Sequence, residues 1–224
     1  MIHLPFDSHT LVGDVTGAPC NTLLLHGAGR SNRHRFTRLR TALANHQVHT
    51  AAFDFLGHGQ TGGQLLGSSL AQRTAQAQAM VRAACSPETT PITLIGVSMG
   101  GYTAVRLTQT FAVSHLVLLV PAAYAPEAYE LPFGPAFSAC IRRPRSWQDS
   151  HAFERLGQFT GKLLIIAAEA DQVIPTGVIQ GLYRSAINAQ SREVHVVPGS
   201  GHKNLFPRQR DFDTALARLL ETLK

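Results

Sequence analysis

The chain has 224 residues, of which 44% are hydrophobic and 15% charged, and its formal charge is +6. This length suits one domain with one sizeable core, and the composition is too apolar for a disordered chain. No run of about 18 apolar residues occurs, so no membrane span is expected.

Three cysteines, Cys20, Cys85 and Cys140, include no CxxC pair. A disulfide framework or a zinc site is therefore not expected, and reduced thiols suit a cytoplasmic location. The N-terminus lacks a positive segment followed by an apolar run, so no secretory signal is expected. Basic residues cluster at Arg30, Arg33, Arg35, Arg38 and Arg40, and again at Arg142, Arg143 and Arg145. No aromatic-interleaved basic motif accompanies them, so a nucleic-acid partner is not expected. The clusters read as solvated surface, with attraction for anionic ligands as the alternative.

Residues 2–15 suit an antiparallel edge hairpin. Short apolar runs then alternate with longer amphipathic segments. The runs are Thr22–Leu25, 48–53, Ile92–Val97, 116–120, 163–167 and 194–197. Brief, nearly continuous runs are the pattern of buried parallel strands. Between them, Phe36, Leu39 and Leu43 share a helical face, as do Leu70, Ala77, Val81 and Ala84. Ala104, Leu107 and Phe111 form another stripe, and Phe212, Ala215, Leu216, Leu219, Leu220 and Leu223 the last. The fold class is α/β, a single domain over 1–224 with helices on both faces of a parallel sheet. Residues 121–160 exceed what one strand–helix unit needs. Five prolines make this insertion irregular at its start, and 146–156 suits a helix carrying Trp147, Phe153 and Leu156. It reads as a lid.

One motif carries chemistry. Gly96-Val97-Ser98-Met99-Gly100 spells G-x-S-x-G. Chance supplies such a match in about 0.1 of chains this long, so context decides. An apolar strand runs straight into Ser98 and a helical pattern starts just after it, as this nucleophile turn requires. A serine hydroxyl needs a base. His202, in Pro-Gly-Ser-Gly-His after the last strand, can swing over the nucleophile, whereas His195 lies within that strand and should face the core or a helix layer. The base needs an orienting carboxylate. Asp171 follows the strand at 163–167, with Glu169 the nearest rival. Oxyanion donors are expected from the N–H groups of Met99 and of Ala28 in the turn His26-Gly27-Ala28-Gly29. His26, Asp54 and His58 read as structural residues holding turns. Gly27, Arg30 and Trp147 are the residues expected against substrate. A metal site is not expected, for lack of ligand spacing.

These elements together resemble the α/β-hydrolase superfamily over nearly the whole chain. The matching stretches are HGAG at 26–29, DFLGHGQT at 54–61, GVSMGG at 96–101, EADQVIP at 169–175 and GSGH at 199–202. The resemblance implies an eight-stranded, mostly parallel sheet, a Ser98–Asp171–His202 triad and no cofactor. It implies a serine hydrolase acting on a small-molecule ester or thioester through an acyl-enzyme. A non-catalytic receptor of the same fold, or another acyl-transfer or C–C bond hydrolase, stays open as an alternative. Ala168 stands where the family often has glycine, and Thr61 where it often has serine.

Overall fold

The computed structural model describes residues 1–224. Strands β1 (Ile2–Phe6) and β2 (His9–Val15) form an antiparallel hairpin at the sheet edge. Six strands run parallel to one another. They are β3 (Thr22–Leu25), β4 (Thr50–Asp54), β5 (Ile92–Val97), β6 (Val113–Leu119), β7 (Lys162–Ala168) and β8 (Ser191–Val197). The eight-stranded sheet has the order β1-β2-β4-β3-β5-β6-β7-β8.

Strand periodicity builds two cores. Leu23, Leu25 and Leu94 point to one face, while Leu24, Ile95 and Val97 point to the other. The first face is covered by α2 (Leu70–Ala84), α3 (Met99–Leu107), α5 (His151–Gln158) and α6 (Thr176–Ser185). The second is covered by α1 (Thr37–Asn45) and α7 (Gln209–Thr222). Each leucine buried in these cores contributes about 1.5–3 kcal/mol. No helix is long and apolar enough to cross a membrane.

Chain order reverses between β3 and β5, which are neighbours through Leu25 and Gly96. The chain leaves β3 toward β4 on one side and returns to β5 on the other. The crevice at the strand carboxyl ends of such a switch point is where α/β sheets bind ligands. The turns after β3 and β5 both open there.

Two expectations need correction. The basic cluster after β3 is not all solvated surface, because Arg33 and Arg40 are buried. Arg33 pairs with Asp14 and Asp54, and Arg40 with Asp14. Their partners lie elsewhere in the chain, so local composition does not reveal them. The helix expected over 146–156 starts only at His151. Ser150 caps it, accepting the Ala152 N–H at 3.3 Å. Trp147 therefore sits in the preceding turn. An additional helix, α4 (Pro135–Arg142), forms within the proline-rich part, with Pro135 in its first turn where no N–H is needed.

Candidate active site

Ser98 sits between β5 and α3 with φ +52° and ψ −119°. A non-glycine residue held there costs about 1–3 kcal/mol, and persists only where neighbours enforce it. They do so by close approach. A side chain at Gly96 would lie 2.5 Å from the Gly100 oxygen, and one at Gly100 would collide with the Leu25 oxygen. The Ser98 N–H donates to the Leu119 oxygen at 2.9 Å, and its own oxygen accepts from Gly101 and Ala122. The hydroxyl projects at the start of α3, where N–H groups lack helical acceptors.

The loops after β7 and β8 bring two groups to it. His202 Nε2 lies 3.1 Å from Ser98 Oγ. On its other side, His202 Nδ1 lies 2.9 Å from Asp171 Oδ2. Asp171 is itself fixed, since its Oδ1 accepts the N–H groups of Val173 and Ile174, both at 2.8 Å. Glu169, the rival carboxylate, does not reach His202. Its Oε2 accepts the Gly199 N–H at 2.8 Å and so braces the loop that carries the histidine. His195 is half-buried, with Arg218 and Asp211 of the α7 layer among its charged neighbours.

The turn after β3 closes the other wall. Gly27 leaves room for Ser98, since a Cβ there would lie 3.2 Å from Ser98 Cβ. The Gly27 oxygen is held at 2.7 Å by His26 Nδ1. His26 Nε2 accepts the Phe55 N–H at 3.1 Å, so the proton belongs on Nδ1. Burial, with the Arg73 and His58 charges nearby, holds His26 well below the usual imidazole range. In a trans peptide the N–H points opposite to the carbonyl. Pinning the Gly27 oxygen inward thus turns the Ala28 N–H outward, and it has no acceptor within the protein.

A residue that the sequence reading passed over stands behind this turn. Arg73 of α2 is fully buried. Its Nη2 donates to the His26 oxygen at 2.8 Å, and the Gly27 oxygen lies 3.5 Å away. Its guanidinium stacks 3.7 Å over the Phe55 ring. Nε and Nη1 have no partner, and no carboxylate pairs with it. Burial pushes its pKa down to about 9, so it stays charged at neutral pH.

The crossing loop after β4 is held as its residues suggest. Asp54 Oδ1 accepts the Arg33 N–H at 2.7 Å, and Oδ2 accepts the Gln60 N–H at 2.9 Å. His58 Nδ1 meets the Leu56 oxygen at 3.1 Å. Thr61 donates to the Asp54 oxygen and accepts the Val12 N–H, so threonine serves where serine is usual.

A family model described as the alpha/beta hydrolase family matches residues 22–161, more than half of the chain. The chain belongs to the α/β hydrolase family. No curated protein matches it in sequence. Solved structures agree on the fold. This α/β hydrolase is similar to Est1E from Butyrivibrio proteoclasticus, whose structure holds ferulic acid. The identity is 18% and the TM-score 0.76, covering 100% of this chain and 99% of that one. It is also similar to the monoacylglycerol lipase of Paleococcus ferrophilus, at 18% identity and TM-score 0.73, covering 94% and 97%. A thioesterase domain from the curacin biosynthetic pathway gives 16% and 0.71, covering 99% and 98%.

Two cavities flank Ser98 in this α/β hydrolase. One, of about 340 Å³, is lined by Ala28, Met99, Leu65, Leu66, Phe133 and Phe137, among others. The other, of about 360 Å³, contains Ser98 itself and Trp147. Trp147 packs so closely on α6 that a Cβ at Gly177 would lie 2.5 Å from its ring. Arg30 is exposed and lines neither cavity, so the structure does not bring it to Ser98. No three His, Cys, Asp or Glu side chains converge as a metal site would require.

Proposed function

We propose that this α/β hydrolase is a serine hydrolase that cleaves a small-molecule ester or thioester through an acyl-enzyme. The observation that carries this reading is the chain of contacts from Ser98 Oγ to His202 Nε2 at 3.1 Å, and from His202 Nδ1 to Asp171 at 2.9 Å. Such spacing suits transfer of the serine proton to the imidazole as Oγ attacks a carbonyl carbon. Asp171 orients His202 and stabilises the imidazolium. The N–H groups of Ala28 and Met99 receive the oxyanion, the first held ready by His26 and Arg73. His202 then gives its proton to the leaving alcohol or thiol. Next it takes a proton from water as the water oxygen attacks the acyl carbon, and returns that proton to Ser98 Oγ as the acyl–serine bond breaks and the acid leaves.

Structural neighbours titled as an esterase, a monoacylglycerol lipase and a thioesterase domain support carbonyl hydrolysis as the reaction class. The insertion at 121–160 supplies Phe133 and Phe137 to one cavity and Trp147 to the other, which supports its reading as a short lid over one domain. Three unpaired, buried thiols favour a reducing, cytoplasmic setting. The test is fluorophosphonate labelling combined with turnover of an activated ester. The reading expects label on Ser98 and many turnovers per chain. Label without turnover would leave a binding protein of this fold, and no label would remove the nucleophile.

A further inference from the structure

The two cavities beside Ser98 differ in chemistry. The first is almost wholly apolar. The second is lined by Arg142, Arg143 and Arg145 together with Ser98 and Trp147, and no aspartate or glutamate lines it. Arg143 is committed elsewhere, since it pairs with Glu127 outside this cavity. Its Nε also donates to the Cys140 oxygen at 3.2 Å. Arg142 and Arg145 make neither an ion pair nor a side-chain hydrogen bond to the protein.

Arg145 stands in a turn. Arg145 is held at φ +55°, a region that residues with a Cβ adopt at a cost. Pro144 precedes it and Trp147 follows, with Trp147 anchored against Gly177 of α6. The turn thus places the exposed Arg145 beside the cavity, next to the anchored Trp147. Two unpaired guanidiniums at the wall of a cleft concentrate field there more than they would on a flat surface. Their planar forks match the oxygens of a carboxylate or a phosphate.

We propose that the ester cleaved at Ser98 carries an oxyanion group, a carboxylate or a phosphate, on the arm that lies against Arg142 and Arg145. The other, apolar arm lies in the cavity of Leu66, Phe133 and Phe137. This inference rests on Ser98 being the nucleophile. Met99 and Ala28, the oxyanion donors of that reading, line the apolar cavity while Ser98 lines the other, so the scissile carbonyl falls between the two arms. Both arginines are exposed, so a wholly neutral, apolar ester would leave them solvated and draw nothing from their charge.

Matched substrates isolate the charge. Hexyl hydrogen glutarate and hexyl glutaramate differ only in a terminal carboxylate against an amide. 2-(Hexanoyloxy)ethyl phosphate and 2-hydroxyethyl hexanoate make the phosphate comparison. At least one anionic member should have a kcat/KM ten-fold or more above its neutral partner, and the pair that shows it identifies the anion. That ratio should shrink between 50 and 500 mM salt, as screening requires. In the double variant Arg142→Gln/Arg145→Gln it should fall to about one. Arg184→Gln/Arg210→Gln, which removes the same two charges at exposed sites on α6 and α7, should leave the ratio as in the wild type.

Binding is read separately from turnover. Trp147 is the only tryptophan. In Ser98→Ala, its fluorescence should respond saturably to hexyl hydrogen glutarate or the phosphate ester, with a Kd at least ten-fold below that of the neutral partner. Turnover of all four esters with ratios near one would overturn the anion site and leave the hydrolase reading standing. Preferential binding without any turnover would support the anion site and overturn the hydrolase reading. A ratio that survives the double variant would also overturn the proposal.

Discussion

Arg73 Nη2 donates to the main-chain oxygen of His26 at 2.8 Å, and no carboxylate pairs with its charge. A buried, uncompensated guanidinium is costly, and replacing such groups by apolar side chains of similar volume is often neutral or stabilising. Its retention behind the turn of Ala28 fits a positioning role, with stability given up for an aligned oxyanion donor.

Arg73→Met keeps the side-chain length and removes both the charge and the hydrogen bonds. Losing a whole oxyanion donor costs about 10²–10³ in kcat, and misaligning one costs part of that. The variant should lose about 10- to 100-fold in kcat. Its KM should change much less, and its Tm should stay level or rise. Steady-state kinetics and thermal unfolding on the same samples check this. A lower Tm with unchanged kcat would mean that Arg73 only supports the fold.

Asp171 and Glu169 are two residues apart, yet they touch different partners. Asp171→Asn removes the acceptor that fixes the His202 tautomer, and losses near 10⁴-fold in kcat are typical for that change. Glu169→Gln keeps an oxygen that can still accept the Gly199 N–H, so it should cost less than about 10-fold, the share of a brace and not of a reacting group. Equal losses at the two sites would remove the distinction between orienting group and brace.

Acid should destabilise the protein through His26. Burial keeps this imidazole neutral in the folded state, while the unfolded chain binds a proton once pH drops below about 6.5. The unfolded state then holds more protons, so stability is complete above that pH and declines below it. His58, lowered by burial and by Arg73, adds in the same direction. Each such histidine contributes a slope of at most about 1.4 kcal/mol per pH unit. Urea midpoints at pH 7.5, 6.5 and 5.5 should be level over the first interval and fall over the second. A midpoint that holds or rises toward pH 5.5 would contradict the buried neutral assignment.

The parallel strands were legible because each is a short apolar run, but their ends were not. β6 begins at Val113, before the apolar run at 116, since its ladder pairs His115 and Val113 with β5, past an irregularity at Ser114. Hydrogen bonding extends a strand past the residues that hydropathy marks. Ser98, Asp171 and His202 were legible as three strand-end residues because the six parallel strands place their carboxyl ends on the same side of the sheet. Arg73 was not. On α2 it falls among Leu70, Ala77 and Val81, and an arginine at such a position reads as a solvated residue beside a stripe. What buries it is the Phe55 ring and the His26 oxygen, the latter 47 residues away. The neighbouring Thr74 and Gln76 are also buried on that helix, so its polar residues on the core side were the available signal. Arg33 and Arg40 escaped for the same reason, their carboxylate partners being distant in sequence.

The proposed attacking atom is Ser98 Oγ. It is tested most directly by comparing kcat of the wild type and Ser98→Ala on one activated ester, with thermal unfolding to confirm that both are folded. Ser98→Ala should lose about 10⁴-fold or more in kcat with Tm essentially unchanged. A folded Ser98→Ala protein that hydrolyses the ester at the wild-type rate would contradict that assignment.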